Sequence, residues 1–331
     1  MKHKLTKIWQ GFMIIILIMI ASQSIFSQQL PLFTQYREVQ GLINPASVNH
    51  DYFLEHYNVS AGATYRSQWN DIAGHPVTSA VRAEYIIVPE KTTFSLLTGA
   101  YYLSDKAGLT NKQSAYLRLG TIYSQNPANS GIGIGMNLGM VWNSFNFGGV
   151  KLSDPFDISI DGVDRTSYVD VGVGAYYYKT IRQGALKGDQ LYAGISVPQI
   201  MNQSYVVKNG EQSFTIKRIP HIYAHAGYYK TLSEKMYLSG SLWYKYAKGS
   251  KSVIDFNARM YMFDKLWVGA GISTIGMIHI EAGTILGKYF NFNNFNMKIG
   301  YAADLNTGEL AQNLGISHEI NFVFFFDTEN K

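Results

Sequence analysis

The sequence predicts an all-β fold: a transmembrane antiparallel up-and-down β-barrel of about 14 strands with a short N-terminal periplasmic or plug segment. Three observations predict it. Charged residues make up only 15% of the chain while aromatics reach 14%, with Tyr 24 and Phe 18. A soluble domain carries about 25% charged residues, so this surface is short of charge. Mean hydropathy is nonetheless -0.06, far from that of a multi-span helical membrane protein. The third observation is period-two alternation in segments of about ten residues, the length and pattern of a strand crossing a bilayer.

Residues 1–27 read as a signal peptide. Lys2, Lys4 and Lys7 form a positive start, Ile8 to Ile20 an apolar core, and Ala21 to Ser27 a small polar stretch. Cleavage is placed after Ser27, although Ile25 makes the small-x-small rule imperfect. A single membrane anchor is the competing reading, but the apolar run falls short of the roughly 20 residues of a span. Without Lys2, Lys4 and Lys7, the 28 basic residues become 25 against 23 acidic ones, a net of about +2. The pI of 9.0 therefore owes much to the leader and gives no argument for a nucleic-acid partner. The chain has no cysteine. That excludes disulfide scaffolds, thiolate metal sites, cysteine nucleophiles and a lipid anchor on an N-terminal cysteine.

Residues 28–57 lack alternation and contain Pro31, Gly41 and Asn44-Pro45. They form a periplasmic arm or an inward-folded plug. Residues 58–326 are read as one barrel domain and 327–331 as a tail. No stretch after the leader holds 18 apolar residues, so nothing there can span as a helix. Within a membrane that leaves a closed barrel, because an open sheet strands its edge amides in lipid.

Alternation is clearest over Gly131 to Asn143. Ile132, Ile134, Met136, Leu138, Met140 and Trp142 share one face, opposite Gly133, Gly135, Asn137 and Gly139, with Val141 the exception. In Asn58 to Arg66, Val59, Ala61, Ala63 and Tyr65 oppose Ser60, Gly62, Thr64 and Arg66. The same template marks strands near 58–66, 78–88, 92–103, 112–123, 131–143, 168–180 and 189–198. It continues near 221–232, 235–246, 253–263, 266–275, 277–287, 295–304 and 315–326. Loops at 67–77, 144–167, 199–220 and 305–314 fall on one side and are mostly long. Turns at Pro89 to Lys91, Ser233-Glu234 and Asp264-Lys265 fall on the other and are tight, the outside–periplasm asymmetry of such barrels. The last strand ends in Phe322, Val323, Phe324, Phe325 and Phe326. That pattern resembles the insertion signal read by barrel-assembly machinery, and a buried core strand gives it equally.

Arg66, Arg82, Glu84, Arg118, Asp170, Lys245, Asp255, Arg259, Glu281, Lys298 and Asp304 all fall on the face predicted to point inward. An Arg or Lys on the lipid face at mid-membrane costs roughly 2–4 kcal/mol. A lumen of mixed sign is expected. About fourteen strands are too wide to fill with wall side chains alone, so a loop, the 28–57 arm, a partner segment or water must occupy the middle.

His221 and His225 share a strand face, and His50, Asp51, Glu55 and His56 form a polar cluster, but neither group supplies a full metal set. His279 and Glu281 point the same way, while His318 and Glu319 face oppositely. No nucleophile elbow is present. The strand glycines, as in Gly131-Ile132-Gly133-Ile134-Gly135, do not open a helix as a nucleotide loop does; they leave room for neighbouring side chains or a plug. No catalytic residue, cofactor or metal ligand is assigned.

Particular words then carry a resemblance. Residues 29–36 read Q-L-P-L-F-T-Q-Y, with Gln35 and Tyr36 closing the box, followed by Ile43-Asn44-Pro45-Ala46. Then come Tyr65-Arg66-Ser67-Gln68-Trp69 and Gly74-His75-Pro76-Val77-Thr78. Leu191 to Ile200, Pro220-His221, Ala226-Gly227-Tyr228, Trp267-Val268-Gly269, Gly300 to Asp304 and Ser317 to Ile320 follow in order. This succession resembles the PorP/SprF family of the Bacteroidota type IX secretion system. Leu30 stands where that family usually has Asp, Thr34 where it has Ser, and Ala303 where it often has Tyr.

The resemblance implies a non-enzymatic outer-membrane component of the secretion and gliding apparatus. It implies partners among the periplasmic ring components, or a large secreted adhesin with a C-terminal sorting domain. Outer-membrane lipid and the barrel-assembly machinery complete the expected partners. Gln35, Tyr36, Asn44, Pro45, Tyr65, Arg66, Gln68, Trp69 and Pro76 are the candidate partner-binding or barrel-closure residues. A porin-like channel for small solutes is the alternative.

Overall fold

The computed structural model describes residues 33–146, 163–202, 204–209, 212–290, 295–307 and 314–328. The expected leader, and parts of the long outer loops and of the tail, lie outside these residues. Seven strands open the chain: β1 (Val59–Ser67), β2 (Val77–Ile87), β3 (Phe94–Ala107), β4 (Thr110–Tyr123), β5 (Ser130–Asn146), β6 (Val163–Thr180) and β7 (Gln190–Gln199). A two-stranded hairpin, β8 (Ser204–Asn209) with β9 (Gln212–Lys217), stands apart from the main sheet. The second half holds β10 (His221–Ser233), β11 (Met236–Ala247), β12 (Val253–Met262), β13 (Leu266–Ser273), β14 (Met277–Ile285), β15 (Phe295–Asn306) and β16 (Ser317–Phe326). Without the hairpin, fourteen antiparallel strands close into a barrel. β1 seals against β16 in continuous register from Val59↔Phe326 to Ser67↔His318.

Each strand sorts its side chains as alternation requires. On β5, Ile132, Ile134 and Leu138 are exposed to lipid while Val141 and Asn137 are buried. On β16, Phe322 points out and Phe325 in. Exposed Tyr65, Tyr102, Trp142, Tyr246 and Tyr301 lie towards the long-loop end, and Phe94, Tyr123, Tyr177 and Phe263 towards the other, as interfacial aromatic girdles do.

Three expectations need correction. The segment 199–220 is not all loop but carries β8 and β9. The segment 144–167 is strand at both ends, since β5 runs to Asn146 and β6 starts at Val163. β3 and β4 also extend until only Gly108 and Leu109 separate them, with Gly108 at φ 55, so that outer connection is a tight turn. Strands that continue past the bilayer keep their ladder but lose the apolar outer face by which alternation was recognised.

The arm forms a 3-10 turn at Tyr36–Val39, then α1 (Gln40–Ile43) and α2 (His50–Glu55). Pro45 stops α1, and the Asn44 side chain folds back to accept from the Ala46 N–H at 2.9 Å. Asn49 caps α2 by accepting from the Tyr52 N–H at 2.8 Å. His56, at φ 62, ends it in the left-handed conformation.

Candidate functional site: the plugged barrel lumen

The arm lies inside the barrel and runs the length of the lumen. Its first described residues sit at the long-loop end, not at the mouth from which the chain enters β1. There the Thr34 and Gln35 N–H groups donate to the Glu319 carboxylate at 2.7 and 2.8 Å. Arg66 binds Asp304 at 2.5 Å and Glu319 at 3.2 Å, and the Thr34 hydroxyl reaches Asp304. One turn further in, the Tyr36 hydroxyl donates to Ser241 at 2.7 Å, and its ring centroid lies 5.0 Å from that of Trp243.

The middle of the lumen is ionic. Arg37, Glu281, Arg259, Glu38, Lys298, Asp51, Arg82, Glu84 and Arg118 form one unbroken chain of ion pairs. The arm supplies Arg37, Glu38 and Asp51; the wall supplies the rest. Arg259 grips Glu281 with two hydrogen bonds of 2.9 and 2.7 Å and reaches Glu38 at 3.2 Å. Lys298 bridges Glu38 at 2.7 Å and Asp51 at 2.5 Å. Such groups are tolerable in a dry interior only when each charge is paired and hydrogen-bonded. Here that condition joins wall to arm.

Backbone groups are held too. Arg118 donates to the carbonyls of Pro45, at 2.7 Å, and Ser47, and Asn44 donates to the Ala175 carbonyl at 3.0 Å. Below them an apolar layer packs Ala46, Val48, Tyr52 and Phe53 against Tyr176, Tyr178, Tyr192 and Tyr229. His50 is clamped between Tyr229, 2.8 Å from Nδ1, and Tyr261, 3.1 Å from Nε2. A neutral imidazole fits this pair, accepting from one hydroxyl and donating to the other.

Wall glycines make the fit possible. A Cβ at Gly135 would collide with the Pro45 carbonyl, one at Gly133 would come within 2.7 Å of the Ala46 carbonyl oxygen, and one at Gly174 would strike the Asn44 side chain. Gly135→Ala is expected to lower stability by about 1–3 kcal/mol through overpacking. Gly240→Ala, which meets nothing within 4 Å, should be neutral or slightly stabilising. The comparison is read from the two unfolding midpoints in detergent, and equal midpoints would refute the cradle.

The charged groups of the arm carry a pH dependence. Burial, with the Lys298 ammonium nearby, pushes the His50 imidazole down to about 3. Burial is the largest influence and raises the Glu38 and Asp51 carboxyls, but the neighbouring cations together outweigh it, Lys298 with Arg259 at Glu38 and Lys298 with Arg82 at Asp51, and hold both low. Below pH 6.5 the unfolded chain takes up a proton at His50 that the folded arm refuses. This stability is therefore full above 6.5 and is lost as pH falls towards 3. Glu38 and Asp51 add a loss in the same direction at the acid end. Acidification from pH 7 to 4 is expected to remove up to about 3 kcal/mol through His50. A His50→Gln chain should show a visibly flatter dependence of unfolding midpoint on pH; an unchanged slope would refute the assignment.

The nine candidate partner-binding or closure residues are not one cluster. Gln35, Tyr36, Asn44 and Pro45 lie on the lumenal arm and Arg66 on its wall, with Arg66 fully buried. Gln68 is buried at the rim, its N–H donating to the Pro76 carbonyl at 2.9 Å. Trp69 and Pro76 are half-buried in the first outer loop, and Trp69 has φ 55. Tyr65 faces lipid, 50% exposed. Of the residues that hold the arm, Arg37, Glu38, Asp51, Arg118, Arg259, Glu281 and Lys298 were not nominated as site residues. Alternation signals the wall members of that group as inward charges, but nothing in the sequence pairs them with the arm. His225 packs 5.6 Å from the Tyr176 ring, and among the described residues no set of three His, Asp or Glu side chains is placed to hold a metal. His318 faces outward, 2.6 Å from the Tyr301 hydroxyl.

The model of the type IX secretion system membrane protein PorP/SprF matches residues 25–324. The chain belongs to the PorP/SprF family. No curated protein sequence matches it. Among solved structures it is similar to the CymD monoaromatic hydrocarbon channel, with TM-score 0.51 and 9% identity over 90% of this chain and 100% of that one. It is also similar to the toluene transporter TodX of P. putida, with TM-score 0.51 and 10% identity over 86% of this chain and 92% of that one. Both likenesses are of fold: this PorP/SprF member is an outer-membrane type of barrel.

Proposed function

We propose that this PorP/SprF protein is a closed, non-enzymatic outer-membrane component of the type IX apparatus that supports export or surface attachment of a partner protein. The observation that carries the reading is the arm itself. A lumen filled from end to end by the chain's own residues, with its charges neutralised by them, favours work at the two rims over passage of solutes. A large adhesin with a C-terminal sorting domain fits the outer rim, and the periplasmic ring components fit the inner one. In this reading the mature chain follows cleavage of residues 1–27. Residues 28–57 form the plug, 58–326 the barrel and 327–331 the tail. Gln35, Tyr36, Asn44, Pro45 and Arg66 act in barrel closure, while Tyr65, Gln68, Trp69 and Pro76 shape the rim offered to a partner.

The test is a deletion strain, scored for surface display of every type IX cargo by proteolytic shaving and mass spectrometry. Loss of at least one displayed protein, restored by the wild-type gene, is the expected result. Full display of all cargo in the deletion strain would remove the proposal.

A further inference from the structure

The outer wall of β2 to β6 changes character abruptly near the long-loop end. Lys106, Asn111, Ser144 and Arg165 are cross-strand neighbours in one outward row. One pleat below, Ser104, Gln113, Trp142 and Ser167 form a second row. Both rows share the face of exposed Leu117, Ile134 and Val169, so they point to the membrane side and not into the lumen. Trp142 is 43% exposed, and a depression of about 630 Å³ is lined by Asn111, Gln113, Trp142, Ser144, Arg165 and Ser167. The Lys106 and Arg165 charges are in no ion pair among the described residues. The nearby Asp105 is turned inward, accepting from the Thr78 hydroxyl at 2.6 Å.

Lower on the wall and offset towards β2, sharing β4 and β5 with the first, is a second depression of about 590 Å³ with the opposite chemistry. Ala83, Ala100 and Ala115 form its floor, with Tyr102, Leu117 and Met140 among its walls. A polar, cationic hollow stands above and to one side of an apolar one on a single stretch of wall.

We propose that this wall binds one phosphorylated glycolipid of the outer leaflet, its head in the upper hollow and an acyl chain in the lower. Arg165 offers a planar fork suited to phosphate and Lys106 a mobile point charge. Three strand spacings separate them, roughly 14 Å, so two anionic groups on one headgroup are engaged together. Trp142 supplies an amphipathic ring at the depth Trp prefers, against which a sugar face packs. Asn111, Gln113, Ser144 and Ser167 supply donors and acceptors for its hydroxyls. The small floor residues below leave the width of a hydrocarbon chain between larger neighbours.

The experiment uses the full-length barrel in detergent, with lipid A as the glycolipid probe and dioleoylphosphatidylglycerol as an anionic lipid without sugar, read by native mass spectrometry. Wild type should retain lipid A with at least tenfold preference. Lys106→Ala with Arg165→Ala should reduce lipid A binding at least tenfold. Trp142→Ala should weaken lipid A binding and leave phosphatidylglycerol unchanged, with Trp142→Phe restoring most of it. Heat-modifiable mobility on gels checks that each variant is folded, and Ala100→Phe, which fills the lower hollow, tests the tail independently. Equal retention of the two lipids by wild type, or lipid A binding untouched in the double variant, would overturn the proposal.

Discussion

Arg259→Met is expected to destabilise the folded barrel by about 3–5 kcal/mol. The guanidinium is 1% exposed and satisfies Glu281 twice, Glu38 once and the Tyr261 hydroxyl, the last at 2.9 Å. Its removal leaves Glu281 with Arg37 alone, at 3.3 Å, and Glu38 with Lys298 alone. Two carboxylates then stay buried with half their partners, and that desolvation sets the size of the loss. The contrast is Lys230, whose side chain is 46% exposed in its pair with Asp189 at the short-turn end. Lys230→Met is expected to change stability by no more than about 1 kcal/mol. Urea unfolding of both variants in lipid vesicles measures the difference. If the two lose the same small amount, the lumenal chain of ion pairs does not hold the arm. Arg259→Met combined with Glu38→Gln removes one stranded carboxylate while Lys298 keeps its Asp51 partner, and should recover part of the loss, which separates a charge effect from a packing effect.

Much of this arrangement is legible in the sequence. Alternation located all fourteen barrel strands within a few residues, because lipid on one side and a polar lumen on the other impose the strongest period-two contrast a sheet can carry. It also turned the Arg66, Arg118, Arg259, Glu281 and Lys298 side chains inward, since lipid tolerates none of them. The signal failed where that contrast ends. Above the bilayer β5 and β6 carry Ser144, Arg165 and Ser167 on their outer face, so the continuing ladder leaves no apolar mark. β8 and β9 are six residues each, too short for a membrane-strand template. The arm was the least legible part. It has no period, and its contacts join residues as distant as Thr34 and Glu319, 285 positions apart. The glycines hinted at it: Gly133 and Gly135 mark where the wall must yield, although not to what. The two hollows on the outer wall could not be read at all, since they need the register of five strands at once.

Excision of residues 36–53 is expected to turn an electrically silent barrel into a conducting one. In planar bilayers the wild-type chain should show no discrete steps, because arm residues close the lumen by ion pairs at mid-height and by an aromatic layer below. An eight-stranded barrel without its plug would close on its own side chains; a fourteen-stranded one is too wide to do so. The excised lumen keeps Arg66, Arg82, Arg118, Arg259 and Lys298 beside Glu84, Glu281, Asp304 and Glu319, and water then solvates what the arm had neutralised. With both signs on the wall, the pore should discriminate weakly between small anions and cations. Heat-modifiable mobility must first show that the excised chain is folded. A second measurement needs no excision. The chain has no cysteine, and a Cβ at Gly174 would lie 2.9 Å from the Asn44 Cγ, so Asn44→Cys with Gly174→Cys brings two thiols within disulfide reach. Oxidation should cross-link arm to wall and leave the barrel silent. Discrete conductance in the wild-type chain, a folded excised barrel that stays silent, or a cysteine pair that never cross-links would each count against an arm seated in the lumen as its closure.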